Sequence, residues 1–247
     1  MDLKSYLGVI ERFIISYLEK THADGYVLGL SGGVDSSLVA ALTKKAVGKE
    51  KLHCIMMPIE SHPSDLEDAV KLAKALDINY HVLDLTETYH SFAKTLADQG
   101  IELDKASLSN LKVRMRMSAL YAYGQKNHLL VLGTDNADER YTGYFTKYGD
   151  GAADLLPIAK LVKREVVEAA KILGVPTKLA ERVPSAGLFE GQTDEKEMGV
   201  TYKDLDDFLL GKTVNPQAEE RIKHLHLVSE HKRVAIPEPE EFVRDEK

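Results

Sequence analysis

A short apolar run followed at once by two glycines constrains the fold of this chain more than any other feature. The run is "YVLGL" at 26–30, and "SGGVDSS" follows it directly at 31–37. Adjacent glycines let the backbone turn tightly, and the polar residues after them favour the start of a helix. The pattern therefore predicts a strand that passes through a tight turn into a helix at 34–46.

Further apolar runs alternate with helical patterns along the chain. Strands are predicted at 26–30, 52–57, 80–85 and 128–132, and helices at 2–20, 34–46, 63–76, about 103–126, 160–173, 201–211 and 216–231. Strand–helix alternation is typical of a parallel sheet covered by helices on both faces. We therefore predict an α/β, doubly wound, Rossmann-like fold with a mainly parallel five-stranded sheet. Ligands bind such sheets beyond the carboxyl ends of the strands, so the loop at 31–37 is a candidate site.

Composition narrows the class of protein. The chain has 247 residues, 44% of them hydrophobic, and a net charge of −7, which argues against a protein that coats nucleic acid. No apolar run approaches the roughly 18 residues of a membrane span. The single Cys54 excludes intrachain disulfides and CxxC sites. We expect an enzyme of the cytoplasm that binds neither nucleic acid nor membrane.

The loop itself has the chemistry of an anion site. Its backbone N–H groups, the following helix N-terminus and the serine hydroxyls attract a phosphate without a lysine. It matches neither GxxxxGK[ST] nor the dinucleotide pattern GxGxxG. Asp35 would repel a phosphate unless a cation such as Mg²⁺ lies between them. The alternative is a plain strand-to-helix turn in which Asp35 and Ser36 only favour the helix start.

The motif "SGGVDS" resembles the loop of the PP-loop ATP pyrophosphatases, which cleave ATP between the α- and β-phosphates and hold the departing pyrophosphate. Two later segments are similar to the central signatures of the NAD synthetase family. They are "GTDNADERYTGYFTKYGDGAADLLPIAKLVK" at 133–163 and "PSAGLFEGQTDEKEMGVTY" at 184–202. The resemblance runs from about residue 26 to the end, and the GMP and argininosuccinate synthetases of the superfamily do not share the TKYGDG signature.

This resemblance implies a ligase that forms a carbon–nitrogen bond. Such an enzyme uses ATP and Mg²⁺ to amidate deamido-NAD (nicotinic acid adenine dinucleotide) with ammonia, giving NAD, AMP and pyrophosphate through an adenylated nicotinate, in the final step of NAD biosynthesis. It also implies an adenine-nucleotide α-hydrolase-like fold and one domain over 1–247. The PP-loop core would span about 26–175, and a substrate-covering loop with C-terminal helices about 176–247. The family is homodimeric, with the deamido-NAD site at the subunit interface.

The resemblance assigns residues to each ligand. The ATP-binding positions are Gly29, Leu30, Ser31, Gly32, Gly33, Val34, Asp35, Ser36, Thr134, Lys163 and Ser185. The positions for deamido-NAD are Arg114, Lys147, Asp154, His231 and Lys232. Asp35 and Glu139 would hold Mg²⁺, and Asp35 and Lys163 are the catalytic candidates. The alternative for Glu139, Lys163 and the 231–232 pair is a solvated helix residue, and for Ser185 an ordinary residue of a mobile loop at 184–199.

A local charge bias supports an anion site. Positions 105–134 hold five basic residues and no acidic ones, within an acidic protein. Arg114 and Arg116 lie two apart on a predicted helix, so they do not share a face. We assign Arg114 to the substrate and leave Arg116 as structural. His224 and His226 are also two apart, and we interpret them as surface or packing residues rather than as a metal site.

The position of the single cysteine, Cys54, indicates whether the nitrogen comes from glutamine or from free ammonia. An amidohydrolase that releases ammonia from glutamine needs a nucleophilic cysteine, and Cys54 lies within an apolar strand. We therefore expect direct use of ammonia. Two other functions stay open at this point: another PP-loop adenylating ligase, and an ATP-binding sensor of the same fold without catalysis. A second acidic metal ligand at Glu139 and the long substrate segment favour the enzyme.

Overall fold

A four-stranded parallel sheet forms the centre of the molecule. The computed structural model describes residues 1–182 and 193–242. The strands are β1 (Gly25–Gly29), β2 (Leu52–Met56), β3 (Tyr80–Val82) and β4 (Leu129–Leu132), in the order β3-β2-β1-β4. The helices are α1 (Leu3–Thr21), α2 (Val34–Val47), α3 (Pro63–Ala75), α4 (Thr86–Ala97), α5 (Lys105–Lys126), α6 (Ala137–Thr142), α7 (Lys163–Ile172), α8 (Thr177–Ala180), α9 (Asp194–Met198), α10 (Tyr202–Leu209) and α11 (Pro216–Val228), with 3-10 turns at Lys49–Lys51 and Glu230–Lys232.

Buried apolar side chains alternate between the two faces of the sheet along β1, so helices cover both faces. Tyr26 and Leu28 pack on one side into the main core, together with buried residues of α1, α2, α3 and α7. Val27 points to the other side, where a smaller cluster packs against α5. The Tyr26 hydroxyl donates a 2.7 Å hydrogen bond to the carbonyl oxygen of Ile14, so its buried polar end is satisfied. The predicted doubly wound α/β class is confirmed.

The number of strands differs from the prediction of five. Where a fifth strand would lie, Leu155 forms a single parallel bridge with Leu132. Two backbone hydrogen bonds flank it, from Asp154 N to Val131 O at 2.9 Å and from Gly133 N to Leu155 O at 3.0 Å. Two residues later, Pro157 has no N–H to donate to a ladder. The segment therefore covers the edge of β4 without becoming a strand.

Four helices were not predicted from the sequence: α4, α6, α8 and α9. Helix α4 has Tyr89, Phe92 and Leu96 at helical spacing, a pattern from which it could have been predicted, and of these three only Tyr89 is buried. Helix α6 is only six residues long, within a segment rich in Gly, Thr and Tyr. Part of the predicted loop at 184–199 lies outside the described residues. The remainder contains α9, so the loop prediction is wrong there.

The C-terminal helices form a separate small core around α6. Its buried members are Met198, Val200, Tyr202, Leu205 and Ile222. Tyr141 of α6 contributes to this cluster and stacks on His226 with ring centroids 4.1 Å apart. His226 is therefore a packing residue, as expected. Within the described part of the chain, no helix is both long and apolar enough to cross a membrane.

Candidate active site

The SGGVDS loop joins β1 to α2 at the carboxyl end of the sheet. Gly32 has φ +82°, and a Cβ at this position would lie 3.2 Å from the backbone N of Ala69. Glycine is therefore required by both conformation and space. The loop is further fixed by its serines: Ser31 Oγ lies 3.1 Å from Ser36 Oγ, and Ser37 Oγ donates to Gly33 O at 2.6 Å.

A capping box brings the second acidic candidate to this loop. The Asn136 side chain accepts from Glu139 N at 3.0 Å, and the Glu139 carboxylate accepts from Asn136 N at 3.1 Å. The Asn136 amide also donates to Asp35 Oδ1 at 2.8 Å. Asn136 thus starts α6 and ties Glu139 to Asp35, which lies 101 positions earlier in the sequence.

Lys163 completes the cluster from the first position of α7. Its Nζ lies 2.6 Å from Asp35 Oδ2 and 3.6 Å from Glu139 Oε1, and its side chain is 6% exposed. The ammonium also lies 4.9 Å from the ring centroid of Tyr202. Burial alone would lower the pKa of Lys163, but the carboxylates of Asp35 and Glu139 outweigh it and raise the pKa. Lys163 is therefore a buried cation, not a solvated helix residue.

Negative charge exceeds positive charge around this lysine. Burial, and then the neighbouring Asp35, hold the pKa of Glu139 well above its usual range. Burial and the nearby Asp150 do the same for Asp135. The Oδ2 atom of Asp135 is buried and has no hydrogen-bond partner among the residues that the structure describes. Carboxylates crowded in this way favour an added cation.

The donor set suits Mg²⁺ better than a softer metal. Within residues 1–182 and 193–242, no group of three or more His, Cys, Asp or Glu side chains forms a complete metal site. Mg²⁺ usually takes one or two carboxylates and fills its other positions with substrate phosphates and water. Asp35 and Glu139, joined through Asn136 beside the glycine loop, fit that requirement.

A cavity of about 540 Å³ opens at this cluster. Its volume lies within the range of small-molecule sites. Most of the predicted ATP-binding residues line it: Gly29, Leu30, Ser31, Gly33, Val34, Asp35, Ser36, Thr134 and Lys163. Gly32 does not line the cavity and instead packs against Ala69. Ser185 lies outside the described residues.

The predicted deamido-NAD residues fall into three places. Lys232 lines the cavity, and its Nζ donates to the carbonyl oxygens of Gly143 and Phe145, both at 2.7 Å. Arg114, Lys147 and His231 form a chain on the surface. Arg114 Nε donates to Lys147 O at 3.3 Å, and Lys147 Nζ donates to His231 O at 2.6 Å.

Asp154 lies apart from both groups and is not among the residues that line the cavity. Its carboxylate accepts from Val131 N at 2.6 Å and from the Tyr121 hydroxyl at 3.4 Å, so it supports the edge of β4.

Arg116, interpreted from the sequence as structural, does donate to Met57 O at 2.9 Å. It also lines the cavity, and burial lowers its pKa.

Several cavity residues were not singled out from the sequence. They are Asp135, Asp150 and Asp194, and Asn136 lies directly behind them. Only Asn136 carries a local signal, because an Asn followed three residues later by Glu is a helix-start pattern. Asp135 and Asp194 are acidic residues whose burial depends on distant packing, and Asp150 is exposed.

Comparison with known proteins fits this geometry. The NAD synthase family profile matches residues 6–236. An NH3-dependent NAD+ synthetase from Mesoplasma florum is 45% identical over 244 residues, covering 99% of this chain and 100% of that protein. The structure of an NMN synthetase from Francisella tularensis superposes with a TM-score of 0.91 at 40% identity, covering 97% of this chain and 99% of that one.

The structure of an NH3-dependent NAD synthetase from Campylobacter jejuni superposes with a TM-score of 0.79 at 32% identity, covering 98% of this chain and 100% of that one. The match of the family profile spans nearly the whole sequence, and the relatives are matched along nearly their whole lengths. The chain therefore belongs to the NAD synthase family.

Proposed function

We propose that this protein amidates deamido-NAD with ammonia at the expense of ATP, giving NAD, AMP and pyrophosphate. The family is one of carbon–nitrogen ligases, and its NH3-dependent members carry out the final step of NAD biosynthesis. The observation that carries the mechanism is the buried Lys163 ammonium between Asp35 and Glu139, beside the glycine loop. We also expect the protein to act in the cytoplasm.

In the first step, a nicotinate carboxylate oxygen attacks the α-phosphorus of ATP. A carbon–oxygen–phosphorus linkage forms, the bond between the α-phosphorus and the bridging oxygen breaks, and pyrophosphate leaves with that oxygen. The loop at 31–37 offers backbone N–H groups and serine hydroxyls to the β- and γ-phosphates. Lys163 offsets charge as it develops on the departing pyrophosphate, an electrostatic role that is strong in a buried site.

Asp35 and Glu139 would hold Mg²⁺ together with phosphate oxygens. Bound there, Mg²⁺ supplies positive charge to the phosphates and lets Asp35 lie beside them without repulsion. A phosphate oxygen near Lys163 would compete with Asp35 for the ammonium, which now donates to Asp35 at 2.6 Å. Asn136 keeps Asp35 in place during that exchange, because it donates to the other carboxylate oxygen.

In the second step, ammonia attacks the activated carbonyl carbon. A carbon–nitrogen bond forms, the carbon–oxygen bond to AMP breaks, and the nitrogen loses a proton. Free ammonia is the expected nitrogen donor because Cys54 is unsuited to glutamine hydrolysis. The Cys54 side chain is fully buried in β2, and burial raises its pKa to about 12.

We further propose a homodimer with the deamido-NAD site at its interface. The support is the composition of α5, whose apolar residues are only half-buried in this chain. They are Leu108, Leu111, Val113, Met115, Met117, Leu120, Tyr121 and Tyr123. The predicted substrate residue Arg114 is exposed on the same helix. Light scattering that finds only monomer at assay concentration would contradict this proposal.

Nicotinate mononucleotide is a second candidate substrate. The Francisella tularensis structure that superposes with a TM-score of 0.91 is described as an NMN synthetase, whereas the NAD synthetase from Campylobacter jejuni reaches 0.79. Both reactions amidate a nicotinate carboxylate, so they use the same loop, carboxylates and lysine. They differ in whether the site also holds the adenylate half of the dinucleotide.

The test is pyrophosphate release with ATP, Mg²⁺, ammonia and either nicotinate compound, leaving out one component at a time. We expect steady-state release to require every component and to be faster with deamido-NAD; without ammonia, release should stop after the first adenylation on each enzyme molecule. A higher kcat/KM with nicotinate mononucleotide would support the second candidate instead. Release without either nicotinate compound would indicate another adenylating ligase, and no release at all would indicate an ATP-binding sensor.

A further inference from the structure

Helix α7 begins without an N-cap side chain, although Glu165 of its first turn accepts from Val162 N at 3.0 Å. Its first residue is Lys163, and the preceding residue is Val162, which has no side-chain acceptor for the free N–H groups of the first turn. Two buried carboxylates from other helices accept instead. Lys163 N donates to Asp138 Oδ2 of α6 at 2.7 Å and to Asp206 Oδ1 of α10 at 2.9 Å.

Asp206 also accepts hydrogen bonds from the second residue of α7. Its Oδ2 accepts from Arg164 N at 3.2 Å and from Arg164 Nε at 2.6 Å, and the residue is 3% exposed. A buried carboxylate at a helix N-terminus is favoured by the free N–H groups and by the helix dipole. The backbone at Lys163 therefore depends on α10 as well as on α6.

The same face of α10 also reaches the other end of Lys163. Tyr202 lies one turn before Asp206, so the two side chains share a face. The Tyr202 ring lies 4.9 Å from Lys163 Nζ, and its hydroxyl donates to Asp194 Oδ2 at 2.9 Å. The ring is held in place by that bond and is almost fully buried.

We propose that Asp206 and Tyr202 of α10 are positioning residues for Lys163. Asp206 fixes the backbone from which the side chain starts, and the Tyr202 ring directs the ammonium towards Asp35. This inference rests on the proposed function, because it takes Lys163 as the residue that acts on ATP. Neither residue would touch the reacting atoms.

The experiment compares Asp206→Ala and Asp206→Asn with a neighbouring control, Asp207→Asn. Asp207 accepts from Arg164 Nη2 at 2.8 Å but makes no hydrogen bond to Lys163. Misplacing a reacting group through its support lowers rates on the order of 10- to 100-fold. We expect D206A to lose kcat by that factor while KM for deamido-NAD stays within about twofold, because no predicted substrate residue lies on α10.

The asparagine oxygen of D206N can still accept from Lys163 N, but its amide NH₂ cannot accept from Arg164 N and Nε, so we expect this variant to recover part of the lost rate. D207N should keep the wild-type kcat. Equal losses in D206A, D206N and D207N, or a loss confined to KM, would overturn the proposal. Rates are normalised to the folded fraction from thermal unfolding, so that instability is not read as a catalytic defect.

A second pair of variants, at Tyr202, tests the positioning role of α10 if D206A does not fold. Tyr202→Phe keeps the ring near the ammonium, whereas Tyr202→Leu removes it, and we expect kcat of Y202L to be at least about tenfold below that of Y202F. Equal rates would overturn the proposal. Lys163→Met distinguishes failure of the proposed function from failure of the positioning role. A wild-type kcat in K163M would refute the proposed role of Lys163. A low kcat in K163M together with a wild-type kcat in D206A would refute only the positioning role of Asp206.

Discussion

Replacing Lys163 by methionine should destabilise the protein in a way that depends on pH. The substitution keeps an unbranched side chain of similar length and removes the buried ammonium that faces Asp35 at 2.6 Å and Glu139 at 3.6 Å. The two carboxylate side chains are 17% and 16% exposed, so water replaces little of the lost attraction. They then face each other without the cation that separates them.

The magnitude follows from the cost of breaking a buried ion pair. Removing one partner leaves an uncompensated buried charge and lowers the free energy of unfolding by about 3–5 kcal/mol. For a domain of this size, a loss of that order lowers Tm by roughly 6–20 °C. Asp35 keeps its bond from Asn136 and Glu139 keeps its capping bond, so we expect the protein to fold and the loss to lie near the lower end.

The sign of the pH dependence comes from Glu139. Burial and Asp35 already raise the pKa of Glu139 in the folded protein, and loss of Lys163 removes the group that opposes this rise most strongly. A carboxyl whose pKa is higher folded than unfolded binds protons more tightly when folded, so stability falls as pH rises between those two values. The deficit of K163M relative to wild type should therefore be larger at about pH 8.5 than at about pH 6.

Urea unfolding at both pH values measures this difference. The matched control is Lys171→Met, on the same helix, where the lysine forms an exposed pair with Glu181 worth at most about 1 kcal/mol. We expect the control to show little change at either pH. Equal stability of K163M and wild type at the higher pH, or a deficit that shrinks as pH rises, would refute the reasoning.

Three further outcomes are expected. Asp35→Asn should fold with a lower free energy of unfolding, because the buried Lys163 ammonium loses its nearest carboxylate. It should also raise the Mg²⁺ concentration for half-maximal pyrophosphate release by at least about 10-fold; unchanged Mg²⁺ dependence would contradict its assignment as a ligand. Gly32→Ala should lower the unfolding free energy by roughly 1–2 kcal/mol from its positive φ. Contact with Ala69 adds to that loss, so urea unfolding should show a larger effect than for Gly48→Ala, which has similar φ and open space. Cys54 should resist iodoacetamide in the native protein, and ammonium alone, but not glutamine alone, should support turnover.

The sequence predicts the architecture because its patterns are local. Each strand is an apolar run that ends in turn residues, and the glycines of the loop determine where β1 passes into α2. The sequence does not show in the same way that the sheet has four strands and not the predicted five. Leu155 lies beside Leu132, but only the packed structure reveals that a single bridge forms before Pro157. Helix α4 was predictable in the same way, because Tyr89, Phe92 and Leu96 recur at helical spacing, although it was not predicted.

The residues of the site also divide into those that the sequence indicates and those that only the structure reveals. Resemblance pointed to Asp35, Glu139 and Lys163, and these three side chains do converge in the structure. The residues that make them converge carry weaker signals. Asn136 is visible as a helix start but not as a bridge to Asp35, which lies far away in sequence. Asp206 looks like one more acidic residue on a solvated helix until its carboxylate is found at the N-terminus of α7.

The lysine that the glycine loop lacks is supplied from elsewhere in the fold. Lys163 follows Asp35 by 128 positions, and its ammonium reaches the loop because α7 starts against α6 and α10. A lysine within the loop would be held by the loop backbone itself. Here the cation depends on the packing of the C-terminal helices, whereas the N–H groups proposed to receive the phosphates lie in the loop between β1 and α2, which packs against Ala69 of α3. Loss of C-terminal packing should therefore remove the charge before it removes the anion site, which separates ATP binding from ATP cleavage in physical terms.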